Sequence, residues 1–154
     1  MFWGCITYDG IGVIVPVDGN LNSTKYIELL DFHLWPVIAK VFGNRPFIFQ
    51  DDNATPHCSR QTNTWKQENG IQKFNWPAQS PDLNIIENVW RCIKIKLSRE
   101  IDNIENRDDL VAAVTRIWNG LSQTYIRSFM PRFLADYNRL QFRKAMQQNT
   151  ERKM

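Results

Sequence analysis

The order of elements legible in these 154 residues predicts an α/β fold, a mixed sheet with flanking helices. Three observations predict it. Two Val- and Ile-rich segments around a glycine turn open the chain. A short continuous apolar run, Phe47-Ile48-Phe49, stops abruptly at Gln50-Asp51-Asp52-Asn53. Amphipathic stretches at helical spacing lie between and after these segments. Hydrophobic residues make up 43% of the chain and charged residues 23%, which suits a single globular domain with a real core.

The elements follow in order. Met1 to Thr7 reads as a strand, Asp9-Gly10 as a turn, and Gly12 to Val17 as a second strand that Asp18-Gly19-Asn20 closes; the two strands can form a hairpin. Asn22 or Ser23 can cap a helix in which Tyr26, Leu29, Leu30, His33, Leu34, Val37, Ile38 and Val41 recur at helical spacing as one stripe. Pro36 lies inside that stripe and should break or kink it. His33 sits on the same stripe and reads as a packed core histidine. Pro46 to Asp52 reads as a strand buried on both faces. Ser59 to Asn69 reads as a helix with Gly70 as its cap, and Ile71 to Trp76 as a further short strand. After the loop Pro77 to Asp82, a helix from about Ile85 to Ser98 carries the stripe Ile86, Val89, Trp90, Ile93 and Leu97. Two more helices are expected. One carries Leu110, Val114, Ile117, Trp118 and Leu121; the other spans the Thr124 to Met146 region with an interruption at Pro131.

Composition excludes several classes. The net charge of +3 does not by itself announce nucleic-acid binding. Arg139, Arg143, Lys144, Arg152 and Lys153 make the C-terminal end basic, either a phosphate-facing tail or a solvated terminus. Cys5, Cys58 and Cys92 are far apart and form no C-x-x-C, which argues against a disulfide framework or structural zinc and for reduced thiols inside a cell. No apolar run approaches the ~20 residues that span a bilayer. The start of the chain is no signal peptide, and it reads like the middle of a domain.

Two acids stand out by position. Asp52 ends the predicted buried strand, at the sheet edge where α/β proteins bind ligands. Glu87 lies in the first turn of a helix that follows a Pro-rich loop, from where it can project to the same edge. Paired carboxylates of this kind offer hard oxygens to divalent metals, which in turn serve phosphodiester cleavage. Each acid also has a plainer reading. Asp51 and Asp52 suit a turn, and Glu87 suits a capping box with Asn84.

The surrounding words decide between these readings. Phe49-Gln50-Asp51-Asp52-Asn53-Ala54-Thr55-Pro56-His57 resembles the F-Q-x-D-N-x-P-x-H segment of Tc/mariner superfamily transposases. The stretch from Trp76 to Trp90 resembles that family's W-P-A-Q-S-P-D-L-N-P-I-E-N-x-W, with Ile85 in place of a Pro. Trp3-Gly4 with Gly10 and Gly12 resembles its W-G strand, and Asn22, Tyr26 and Leu30 fall where its N-S-x-x-Y-x-x-x-L helix lies. Ser128-Phe129-Met130-Pro131-Arg132 is loosely similar to a late S-M-P-R segment. The resemblance covers most of residues 1 to 132. The 34 residues between Asp52 and Glu87 match the Tc branch, with Glu as the last carboxylate. That count selects Asp52 over Asp51.

The resemblance implies a ribonuclease H-like catalytic domain. It makes Asp52 the second catalytic and metal-binding carboxylate and Glu87 the third, with Asn53 and His57 as near-site support. Two Mg²⁺ or Mn²⁺ ions would serve the complete site. Partners would be transposon terminal inverted repeats and TA target DNA, with a homodimer in the full-length family, no membrane, and location in the nucleus. The reaction would be DNA cleavage and strand transfer, that is, transposition and integration. The family's first catalytic Asp lies upstream of the W-G strand, on the central strand of its sheet. It is absent here, as is the helix-turn-helix DNA-binding region, so the expectation is a partial catalytic domain over 1-154 that does not cut DNA by itself. The alternative is an inactive truncated remnant that acts at most as a DNA-binding or dimerising module. Another ribonuclease H-like nuclease or integrase is a third reading, against which the Trp76 to Trp90 words argue.

Overall fold

A computed structural model of the chain describes residues 1–72 and 84–129. The later part of the strand expected at Ile71 to Trp76, the loop expected at Pro77 to Asp82, the part of the expected last helix beyond Phe129 with its interruption at Pro131, and the basic C-terminal residues lie outside the described residues.

Strands β1 (Phe2–Ile6) and β2 (Ile11–Pro16) form the predicted antiparallel hairpin. Its turn is closed by the amide and hydroxyl of Thr7, which both donate to the Gly10 carbonyl, at 2.9 and 2.8 Å. The register slips between Gly4 and Ile6, so β2 carries one extra residue there. Gly12 sits in this bulge. A Cβ on it would stand 2.4 Å from the Cys5 carbonyl oxygen, so only glycine fits.

Asn22 caps α1 (Ser23–Leu29), accepting from the Lys25 amide at 2.9 Å. The chain then passes through a π-helical segment, Leu30–Leu34, into α2 (Trp35–Val41). The break expected at Pro36 is therefore a widened turn rather than an interruption. Proline has no N–H to give and its ring crowds the carbonyl one turn back, and a π turn just before it relieves both. Tyr26, Leu30, Leu34 and Ile38 stay on one buried face throughout.

Segment 46–52 differs from the expectation of a strand buried on both faces. Among the described residues it makes one bridge, with the Phe49 amide donating to the Gln72 carbonyl at 3.0 Å. The run alternates: Phe47 and Phe49 pack inward while Ile48 is 56% exposed. Among the described residues the sheet thus has two strands, fewer than the element order predicted. A short helix, α3 (Thr55–Cys58), follows, then α4 (Arg60–Glu68) capped by Ser59 and closed near Gly70, whose φ is +66°.

Helix α5 (Ile85–Leu97) leads through a 3₁₀ turn (Ile101–Asn103) to α6 (Arg107–Asn119) and the short α7 (Gln123–Arg127). Asn106 caps α6 by accepting from the amides of both Asp108 and Asp109.

The hairpin separates two cores, as the period of two along a strand requires. Phe2 and Ile6 of β1, with Ile11 and Ile14 of β2, pack on Val89, Ile93, Val114, Ile117, Trp118, Leu121 and Ile126 of α5 to α7. Gly4 belongs to the same face; a Cβ there would lie 2.9 Å from the Trp118 ring. Trp3 points the other way, onto Tyr26, Leu30, Leu34, Ile38 and Ile71. Among the described residues no helix is long and apolar enough to cross a membrane.

Candidate active site

Asp51 and Asp52 are adjacent and have opposite surroundings. One carboxylate enters the protein and the other leaves it. Asp51 is buried, 7% exposed. Its Oδ2 accepts from the Tyr26 hydroxyl at 2.9 Å and from the Lys66 ammonium. Lys66 is 2% exposed, and its ammonium lies over the Tyr26 and Phe49 rings, 5.6 and 5.5 Å from their centroids. Two charges so deep in the protein are stable only as a pair; removing one of them costs about 3–5 kcal/mol. Burial, and then the charge and hydrogen bonding of Asp51, pushes the Tyr26 phenol well above its ordinary pKa. Asp51 is thus committed to holding α1 and α4 together.

Asp52 faces solvent, its side chain 49% exposed. Its Oδ1 accepts from the Ala54 amide at 2.9 Å, a turn bond typical of Asp, and from His57 Nδ1. An ionised carboxylate can only accept, so the proton of that contact lies on Nδ1. The other ring nitrogen, Nε2, is buried with no hydrogen-bond partner among the described residues. The imidazole lies flat on Tyr26, with ring centroids 3.9 Å apart and planes 29° apart. The His57 carbonyl accepts from Lys66 at 3.1 Å. Asn53 is exposed and accepts a weak bond from the Cys58 thiol at 3.6 Å. Helix α3 makes this arrangement: one helical turn begun at Thr55-Pro56 brings His57 back over Asp52.

Glu87 is exposed in the first turn of α5. Asn84 precedes that helix in extended conformation, but its side chain makes no capping bond, so a reciprocal capping box is not formed from its side. Among the described residues, Glu87 takes no part in the hydrogen-bond network around Asp52. No group of three or more His, Cys, Asp or Glu side chains that could hold a metal occurs among those residues. The structure therefore joins Asp52 to His57, places Asn53 beside them, and carries Glu87 on a separate helix. His33, half-buried with its ring 6.3 Å from that of Trp3, is a packing residue.

Sequence reasoning missed Lys66 and Tyr26 as parts of this arrangement. No sequence signal marked Lys66: it shares a buried face of α4 with Thr62, one turn earlier, but a Thr and a Lys at that spacing in a polar helix read as solvated.

Known proteins resemble the chain over this same region. A family model described as "DDE superfamily endonuclease" matches residues 2–111. The Transposable element Tc3 transposase of Caenorhabditis elegans is 39% identical over 130 residues, covering 84% of this chain and 39% of that protein. The Transposable element Tc1 transposase of Caenorhabditis elegans is 29% identical over 137 residues, 86% of this chain and 48% of the relative. The Transposable element Tcb1 transposase of Caenorhabditis briggsae is 28% identical over 132 residues, 84% and 46% of the two chains. The chain spans about half or less of the length of the curated relatives it matches.

Proposed function

The chain belongs to the DDE superfamily endonuclease family and carries a Tc/mariner DDE transposase domain, and from that premise we propose that Asp52 and Glu87 are two of the three metal-binding carboxylates of a cut-and-paste transposase. The whole protein would cleave DNA at transposon terminal inverted repeats and join the freed end to TA target DNA in the nucleus, as a homodimer. Residues 1-154 would form part of a ribonuclease H-like catalytic domain. The first carboxylate, and the helix-turn-helix modules that read the repeats, would come from sequence outside these residues.

The observation that carries this reading is the contrast at positions 51 and 52. A metal ligand has to be ionised, reachable and held in one orientation. Asp52 is exposed and oriented by His57 and the Ala54 amide. Asp51 is buried on Lys66 and Tyr26. The donor chemistry fits the group: exposed carboxylates on Asp52 and Glu87 offer the hard oxygens that Mg²⁺ or Mn²⁺ prefers. When bound, such ions supply Lewis-acid activation of water and stabilisation of the leaving oxygen. The chain's own part is to present the two acids, with His57 fixing the rotamer of Asp52 and Asn53 shaping the turn.

In a full-length protein carrying this domain, Asp52→Asn and Glu87→Gln should each abolish Mg²⁺- or Mn²⁺-dependent nicking of a terminal-repeat duplex, with the fold intact by circular dichroism. Asp51→Asn should lower the yield of folded protein, while the folded fraction still cuts. Cutting that survives in Asp52→Asn would overturn the assignment.

A further inference from the structure

We propose that Lys66 and Tyr26 are positioning residues for the Asp52 carboxylate, acting through His57; this rests on the reading of Asp52 as a metal-binding acid. His57 meets Asp52 through Nδ1, and three features fix where that nitrogen points. Tyr26 of α1 forms a plate under the imidazole at 3.9 Å. Lys66 of α4 holds the His57 backbone by donating to its carbonyl at 3.1 Å. The Nε2 end is buried without a partner among the described residues, so no competing hydrogen bond there turns the ring. Asp51 completes the linkage, because its Oδ2 binds both Lys66 and Tyr26.

Tyr26 and Lys66 are 1% and 2% exposed, so neither reaches a substrate or an ion. Their effect on chemistry passes through His57. The buried ion pair thus has a second use besides joining two helices: it sets the rotamer of the exposed acid next to it in sequence. His57 is one contact removed from the Asp52 ligand, where loss of a partner typically changes metal affinity about 10- to 100-fold; Lys66 and Tyr26 act one contact further out, so their effect falls at the lower end of that range.

Nuclear magnetic resonance of the ¹⁵N-labelled 154-residue chain tests this without cleavage. The chain has two histidines, so His33→Asn assigns the His57 imidazole signals. Asp51→Asn combined with Lys66→Met removes both buried charges together and leaves neither stranded. We expect this double variant to keep its folded-state spectrum, including the indole signal of buried Trp118, but to lose the slowly exchanging His57 Nδ1–H. We expect its Mn²⁺ affinity, read from water proton relaxation, to fall about tenfold. Tyr26→Phe, which keeps the plate, should retain the signal, and Tyr26→Leu should lose it; this pair decides the matter if the double variant does not fold. A folded double variant, or Tyr26→Leu, with an unchanged Nδ1–H signal overturns the proposal. Failure of the metal reading looks different: wild type would then bind Mn²⁺ no better than Asp52→Asn, while the imidazole signal still reports on positioning.

Discussion

At the scale of single residues, the decisive event is a change of side between Asp51 and Asp52. The family spacing selects Asp52 from sequence, and in three dimensions the two neighbouring carboxylates have opposite surroundings. One carboxylate is neutralised by a buried ammonium and the other is left at the surface. Lys66 was illegible because a lysine in a polar helix normally reads as solvated. Its burial depends on Asp51, Tyr26 and Phe49, which arrive from elsewhere in the chain. Tyr26 gives this group a pH dependence. Its phenol titrates well above the ordinary value near 10 in the folded protein, so the folded state holds its proton where the unfolded chain has lost it. Its stabilisation is complete below about pH 10 and declines as pH rises through the interval up to the folded value. Urea titrations between pH 8 and 11 should show this decline in wild type and a shallower one in Tyr26→Phe. Equal slopes would mean that the phenol is not coupled to folding.

At the scale of elements, the sequence was most informative where a cap or a period marks the structure. The hairpin, the Asn22 cap, the Ser59 and Gly70 limits of α4, and the apolar stripes of α5 and α6 all follow from local residue chemistry. Three features were not readable. Thr55–Cys58 is too short to show a period. The π turn at Leu30–Leu34 preserves the very stripe by which a helix is recognised, so it was masked as a break at Pro36. The pairing of 46–52 depends on which strand meets it, and that is a long-range fact. For the candidate site, the sequence named Asp52, Asn53 and His57, which the structure places side by side, but it gave no sign of the stacking of His57 on Tyr26. Caps can be tested directly. Asn106 satisfies two amides at the start of α6, with Asp108 and Asp109 in the favourable field of the first turn. Asn106→Ala should cost about 1 kcal/mol of unfolding free energy in a denaturant titration. A change near zero would show that water replaces the cap without loss.

At the scale of the whole molecule, a two-stranded hairpin serves two cores, and its glycines mark where it is closest to its neighbours. Gly4 faces Trp118 and Trp90, and an added Cβ would press on both rings, at 2.9 and 3.3 Å. Gly4→Ala should therefore lower stability by about 1–3 kcal/mol, seen as a lower denaturation midpoint with an unchanged slope. A neutral result would mean that the Trp118 ring can move aside. The two faces of this hairpin also differ in time. The Trp3 face is covered by α1, which is made soon after it. The face of Phe2, Ile6, Ile11 and Ile14 waits for Trp118 and Ile126, more than 100 residues later in the chain. At a synthesis rate of about 5–20 residues per second, that face stays uncovered on the order of ten seconds on every nascent chain. For that interval the ribosome carries a sticky, half-finished surface, and chaperones have a window in which to bind it.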